Sequence, residues 1–398
     1  MRRSTAKPRQ ENRPVDDCYV QSFVVSFAYP VYFGRNVLDA ENPLLESVFG
    51  LIEKRKPHRV VVFVDAGVAR ATPQIMTRIN AYFAKRAGFA LLAPPERLPG
   101  GERAKNGWHG VRHVMTRLGD LHVCRQSFVV AIGGGSLLDM VGFAASLVHR
   151  GIRLIRLPTT VLAQNDAGVG VKNGMNEHGM KNFVGTFAPP HAVINDFDFL
   201  DTLDDAHWHG GISEAFKVAI IRDAAFFEWL EKHAARLHRR DPAAMEYLVR
   251  RCAELHLQHI ALSGDPFERG AARPLDFGHW AAHKLEAMSG FSMGHGQAVA
   301  VGIALDSYYA AECGMITKAM RDRIVRAMRR AGLAVWHPLL GRAAGGRLEI
   351  LKGLADFREH LGGRLTVTLP TGIGRCVEVN EMDERIITHG VRRLRQLK

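Results

Sequence analysis

The chain has 398 residues, 47% of them hydrophobic, and a formal net charge of +13. That length buries a sizeable core and divides most simply into two domains. No apolar run is long enough to cross a bilayer, and the arginine-rich stretch Met1 to Pro14 lacks the apolar centre of a signal peptide, so a cytoplasmic protein without a membrane partner is expected. The five cysteines (Cys18, Cys124, Cys252, Cys313 and Cys376) include no Cys-x-x-Cys pair, which argues against a disulfide framework or a thiolate zinc site. The excess charge falls in Arg2 to Arg13, Arg321 to Arg330 and Arg392 to Arg395. These read as chain ends and solvated helix faces, and no nucleic-acid motif accompanies them.

Residues 1–16 are charged, interrupted by proline and without apolar periodicity, as a disordered basic tail would be. Tyr19 to Phe33 is rich in β-branched and aromatic residues around Pro30, which predicts a hairpin or two edge strands. Arg59 to Asp65 has the apolar centre of a strand in a parallel sheet covered on both faces. The acid at its end, Asp65, can accept ribose hydroxyls or simply cap the next turn. Leu98 to Lys105 makes a turn feeding a helix. Ser127 to Ile132 is a second buried strand, running into Gly133-Gly134-Gly135-Ser136 and a helix from Leu137 to Arg150. Three glycines there allow close approach to an anion at the helix N-terminus, as in a dinucleotide or phosphate loop; a plain tight turn is the competing reading. Asp139, one turn on, either reaches a ligand or complements the helix dipole.

A third strand, Arg153 to Leu157, ends in Pro158-Thr159-Thr160. The following segment, Gln164 to Gly174, is too glycine-rich for a regular helix and reads as a loop, and Asp166, Lys172, Lys181 and Asn182 lie in or just after it. Loops at the strand ends of such sheets are where chemistry is placed. A strand from His191 to Asn195 closes the first domain, assigned to residues 17–200. From 201 to 398 the periodicity is mostly helical, with amphipathic segments near 205–222, 224–262, 275–288, 296–313, 315–332 and 348–361. A late strand pair is expected at Leu365 to Leu369 and Cys376 to Val379. The fold class is therefore an α/β, Rossmann-like N-terminal domain followed by a mostly α-helical C-terminal domain, with a ligand cleft between them.

The second domain carries the most pointed pattern. In Gly278-His279-Trp280-Ala281-Ala282-His283 the two histidines are four residues apart and share a helix face, and His295 follows in a glycine-flanked turn. Upstream, Glu214 and Lys217 stand one turn apart. One glutamate and two histidines would leave a zinc ion an open coordination position, as a catalytic site needs. In a chain with 19 histidines, ordinary helix-surface imidazoles are the alternative.

Taken in order, these stretches resemble the sugar phosphate cyclases, the family of 3-dehydroquinate synthase and 2-epi-5-epi-valiolone synthase. The likeness rests on Val130 to Ser136 with Asp139, Arg150-Gly151-Ile152, Pro158 to Gln164, Lys181-Asn182, Glu214 with Lys217, and the run from Gly278 to Gly296. It implies NAD held by Asp65, Glu102, Lys105, Gly134, Gly135, Asp139, Thr159 and Thr160. It implies zinc, or cobalt, held by Glu214, His279 and His295. Asp166, Lys172, Lys181, Asn182, Lys217 and His283 become substrate contacts, and Arg150 an arginine lent by the neighbouring subunit of a homodimer. Where dehydroquinate synthases grip a carboxylate with a lysine and an arginine, the matching positions here read His256 and Ala272, with Arg273 one place along and a small insertion suggested at Gly264 to Glu268, and Asp276 replaces an asparagine. Near the C-terminus, Phe357 to His360 replaces a lysine pair. A neutral-headed seven-carbon ketose phosphate such as sedoheptulose 7-phosphate is thus the expected substrate. Dehydroquinate synthesis from 3-deoxy-arabino-heptulosonate 7-phosphate is the nearest alternative, and an iron-type alcohol or glycerol dehydrogenase the second.

Overall fold

Seven parallel strands form the main sheet in the first half of the chain, and its central strands are apolar on both sides. A computed structural model describes residues 18–50, 57–263, 265–267, 274–360 and 363–397. Within them the strands are β1 (Val31–Gly34), β2 (His58–Asp65), β3 (Phe89–Leu91), β4 (Glu96–Leu98), β5 (Phe128–Gly133), β6 (Arg153–Pro158), the hairpin β7 (Lys172–Glu177) and β8 (Met180–Phe187), and β9 (Ala192–Asp196). The sheet runs β1-β9-β6-β5-β2-β3, with β4 also pairing β2. Five helices accompany it: α1 (Leu44–Phe49), α2 (Ala66–Ala71), α3 (Ile75–Ala84), α4 (His109–Asp120) and α5 (Gly135–Leu147). Along β2, Val60, Val62 and Val64 pack on α1 and α3, whereas Val61 and Phe63 pack with α4 and α5. An unbroken apolar strand is what a sheet covered on both faces requires.

The second half is helical: α6 (Asp205–Arg222), α7 (Ala224–His238), α8 (Pro242–Leu262), α9 (His279–Met288), α10 (His295–Glu312), α11 (Lys318–Arg330), α12 (Lys352–His360) and α13 (Glu384–Arg395). Its core centres on α6 and α10, both buried along most of their length. The strand pair Val367–Gly372 and Arg375–Val379 packs beside them.

Several expectations need correction. Tyr19 to Phe33 yields one edge strand, β1, parallel to β9, while residues 18–28 form no strand and Tyr19 to Phe27 are exposed. The glycine-rich segment after Thr160 is not a loop throughout: a π-helical turn over Ala163–Ala167 leads into the β7–β8 hairpin. The 224–262 segment breaks at Asp241, whose carboxylate accepts from Ala244 N at 2.9 Å while Pro242 opens α8. The helix after Gly135 stops at Leu147, because His149 and Arg150 adopt positive φ (52° and 63°). Arg392, Arg393 and Arg395 are exposed, as a solvated face requires, on an amphipathic helix whose Ile387, Val391 and Leu394 are buried. The proposed tail at 1–16, Gly264, Glu268, Ala272 and Arg273 lie outside the described residues.

Candidate active site

A cleft of about 1490 Å³ opens at the C-terminal ends of the strands, between the sheet and the helices. Among the described residues it is lined at one end by Asp65, Gly100, Glu102, Lys105, Gly134, Gly135, Asp139, Thr159 and Thr160. At the other end stand Asp166, Lys172, Lys181, Asn182, Lys217, His256, Asp276, His279, His283, Glu286 and His295. Of the residues singled out from sequence, Glu214 is fully buried just beneath the floor. Arg150 alone is exposed and outside the cleft of its own chain.

The end expected to take a dinucleotide is shaped by close backbone approach. Helix α5 begins at Gly135 directly after β5 with no side chain capping it, so its free N–H groups face the cleft. Asp65 does cap α2, accepting from Gly67 N at 2.6 Å. Its other oxygen lies against Gly100, where a Cβ would come within 2.0 Å of it. The capping reading of this acid is therefore realised, and its other oxygen lies on the cleft wall. The buried Lys105 ammonium sits 2.6 Å from Asp139 Oδ2 and also donates to Asn182 Oδ1. Glu102 accepts from Ser136 Oγ at 3.0 Å and Asn176 Nδ2 at 2.9 Å, which ties the first turn of α5 to the β7–β8 hairpin.

At the helical end three imidazoles and a carboxylate converge because two pairs of glycines let their helices touch. A Cβ at Gly296 would fall 1.9 Å from Gly210 O, and one at Gly302 would fall 2.0 Å from Gly278 O. The first contact holds α10 against α6; the second holds it against the start of α9. Glu214 Oε1 then lies 3.2 Å from His295 Nε2 and 3.9 Å from His279 Nε2. The rings are oriented from behind: His279 Nδ1 is 3.1 Å from Phe277 O, and His295 Nδ1 is 3.0 Å from Glu286 Oε2. Each ring thus presents Nε2 to the centre, as second-shell partners do for metal-bound histidines. Glu214 is completely buried; its Oε2 forms an ion pair with Lys217 Nζ at 2.5 Å, whereas Oε1 has no partner in hydrogen-bonding geometry. A buried carboxylate oxygen facing two oriented imidazoles fits a divalent cation with a coordination position left open.

In the metal-free cluster the buried charges offset one another. Burial raises the Glu214 carboxyl, but Lys217, whose Nζ is 2.5 Å away, and the nearby imidazoles hold it down at about 2. His279 and His283 are both pushed below the usual imidazole value, chiefly by burial. Burial also opposes charge on His295, yet Glu286 and Glu214 raise it to about 9. Asp166 is buried too, and Lys217 and His256 overcome that penalty to keep it ionised; His256 Nδ1 is 2.7 Å from its Oδ1.

Sequence reasoning gave no role to Glu286, Asn176, Arg156 or Asp306. The first had an available signal, since Glu286 follows His279 by seven residues and so shares its helix face. Arg156 is completely buried and donates to Gly168 O, Gly170 O, Lys172 O and Asn173 Oδ1, which fixes the segment between Asp166 and Lys172. Asp306 accepts from Gly278 N at 3.0 Å and Trp280 Nε1 at 2.8 Å, on either side of His279.

Comparison with known proteins bears on this arrangement. Residues 96–210 match the 3-dehydroquinate synthase N-terminal family and residues 211–350 the 3-dehydroquinate synthase C-terminal family. A 3-dehydroquinate synthase from Shewanella sp. (strain MR-4) is 32% identical over 358 residues, 90% of this chain and 94% of that protein. The structure of 2-epi-5-epi-valiolone synthase from Streptomyces hygroscopicus subsp. jinggangensis 5008, with NAD+ and Zn2+ bound, superposes with a TM-score of 0.84 at 31% identity, covering 96% of this chain and all of that one. A 2-deoxy-scyllo-inosose synthase complexed with carbaglucose-6-phosphate, NAD+ and Co2+ gives a TM-score of 0.74 at 25% identity, over 91% and 96% of the two chains. Profile matches running from 96 to 350, with relatives aligned over nine-tenths of their length, establish that the chain belongs to the 3-dehydroquinate synthase family of sugar phosphate cyclases, enzymes of carbon-oxygen lyase type.

Proposed function

We propose that this enzyme eliminates phosphate from a neutral-headed seven-carbon ketose phosphate, sedoheptulose 7-phosphate, and closes it to a valiolone-type cyclitol. The observation that carries this choice is the wall beside His279. There His256 is bound to Asp166 and Asp276 stands nearby, so a substrate carboxylate would meet acids. Among the described residues lining the cleft, the arginines are Arg70 and Arg97, both at the dinucleotide end. Lys105 and Lys217 are each already engaged by a carboxylate, and Lys172 and Lys181 lie on the hairpin that in this reading takes the phosphate. A titratable imidazole held by an aspartate is a poor substitute for a bidentate cation clamp.

Bound NAD, cradled by Asp65, Glu102, Lys105, Gly134, Gly135, Asp139, Thr159 and Thr160, would supply reversible hydride acceptance, and zinc or cobalt on Glu214, His279 and His295 would acidify a substrate hydroxyl. The chain's own groups do the rest. Lys172, Lys181 and Asn182, presented by the hairpin, receive the phosphate and compensate the charge that grows as it departs. Asp166 and His256 form a proton-exchanging pair facing the sugar, and His283, kept neutral by burial, can accept or return a proton beside the metal ligands. Arg150, exposed at the end of α5, can act only in a neighbouring subunit's cleft, which makes the enzyme a homodimer in this reading.

Dehydroquinate synthesis is the second reading, favoured by the name of the relative at 32% identity. The two are separated by supplying purified enzyme, NAD and metal with sedoheptulose 7-phosphate or with 3-deoxy-arabino-heptulosonate 7-phosphate and following phosphate release. Release from the first supports the proposal; release from the carboxylated sugar alone overturns it.

A further inference from the structure

We propose that Glu286 is a positioning residue that couples metal binding to phosphate binding, so that each ligand strengthens the other. The inference rests on the function proposed above, in which Glu214, His279 and His295 take the metal and Lys181 takes the phosphate.

The Glu286 side chain is almost completely buried and divides its oxygens between two partners. Oε2 lies 3.0 Å from His295 Nδ1, and Oε1 lies 2.7 Å from Lys181 Nζ. On the far side of the same imidazole, His295 Nε2 faces Glu214 Oε1. Lys181 Nζ is itself only 3.4 Å from His295 Nδ1, so the ammonium competes with the imidazole N–H for one carboxylate. A continuous line therefore runs from Lys181 through Glu286 and His295 to the metal position.

The direction of the coupling follows from charge. With the phosphate position empty, Lys181 neutralises much of Glu286. A phosphate dianion draws the ammonium toward itself and leaves Glu286 free to polarise the His295 N–H. A more strongly polarised imidazole is a better Nε2 donor, and the metal is held more tightly. Reciprocity then requires the metal to raise phosphate affinity by the same factor. Departing phosphate would accordingly find its grip linked to the occupied metal site, with Glu286 touching neither ligand.

The test uses the full-length protein stripped of metal, with Co2+ as spectroscopic probe and inorganic phosphate as the second ligand, corrected by a protein-free titration for Co2+–phosphate association. In the wild type, saturating phosphate should tighten Co2+ binding by about five- to tenfold. In Glu286→Gln, Co2+ affinity falls about 10- to 100-fold and the effect of phosphate on it disappears. In Lys181→Met, Co2+ still binds, but the response to phosphate is lost from the other end, which keeps the inference testable should Glu286→Gln fold poorly. Equal coupling in wild type and Glu286→Gln overturns the inference, as does independent binding of the two ligands to the wild type. Failure of the wild type to bind Co2+ at all overturns the functional reading and this inference with it.

Discussion

Substitution of Gly296 by alanine tests whether helix contact sets the spacing of the proposed metal-binding cluster. The added Cβ would lie 1.9 Å from Gly210 O, whereas carbon and carbonyl oxygen need about 3.3 Å. Helices α6 and α10 must therefore part by roughly 1.4 Å or distort locally. Overpacking of that kind costs about 1–3 kcal/mol. The functional effect is larger in proportion, because His295 adjoins the clash and Glu214 lies one turn beyond Gly210 on the opposing helix. Metal bonds of about 2.0–2.2 Å do not tolerate a separation of that size, so Co2+ affinity should fall at least about tenfold. Gly210→Ala supplies the contrast. Its Cβ would meet nothing within 4 Å, and it should stabilise the protein by about 0.4–1 kcal/mol with metal affinity unchanged. Urea unfolding of the metal-free proteins and Co2+ titration measure the two effects. If Gly296→Ala matches the wild type in both, close helix approach does not determine the cluster.

Three further outcomes are expected. Burial raises the Asp306 carboxyl from 3.8 to about 7, offset only in part by Trp280 and Gly278, so the folded state holds its proton where the unfolded chain has lost it. This group's contribution to stability is therefore full below pH 3.8 and is lost as pH rises toward about 7; Asp306→Asn should remove that part of the slope between pH 4 and pH 8, and identical urea midpoint profiles would contradict it. Arg156→Met strands three carbonyls and Asn173 Oδ1 in a dry interior and should cost about 2–4 kcal/mol, read from urea denaturation; a loss below 1 kcal/mol would show that water replaces the guanidinium. Arg150→Ala should reduce turnover about 100-fold although it lies outside its own cleft, and mixing it with Glu214→Gln subunits should restore activity through hybrid dimers. Absence of any recovery would contradict a shared site.

What could be read from the sequence depended on how local the cause was. Strands β2 and β5 announced themselves through unbroken valines and isoleucine, since two covered faces leave no polar position. The paired histidines of α9 were visible because helical spacing alone puts them on one face. The β7–β8 hairpin was hidden because its glycines and asparagines blur the alternation, and its strands are held by each other rather than by the main sheet. Residues 19–27 show the opposite error: strand-like composition with no strand to pair with, which propensity cannot reveal. The break at Asp241-Pro242 carried its own signal, an N-cap followed by proline at the first helical position. Glu286 was harder, because its partnership with Lys181 spans 105 positions and exists only once hairpin and helix meet.

X-ray absorption at the cobalt edge of the reconstituted protein tests the central claim most directly. The account predicts one ion per chain, with two imidazoles and a carboxylate oxygen at about 2.0–2.2 Å, and loss of one imidazole in His295→Ala. A spectrum with sulfur ligation, or one unchanged by removing His295, would contradict it.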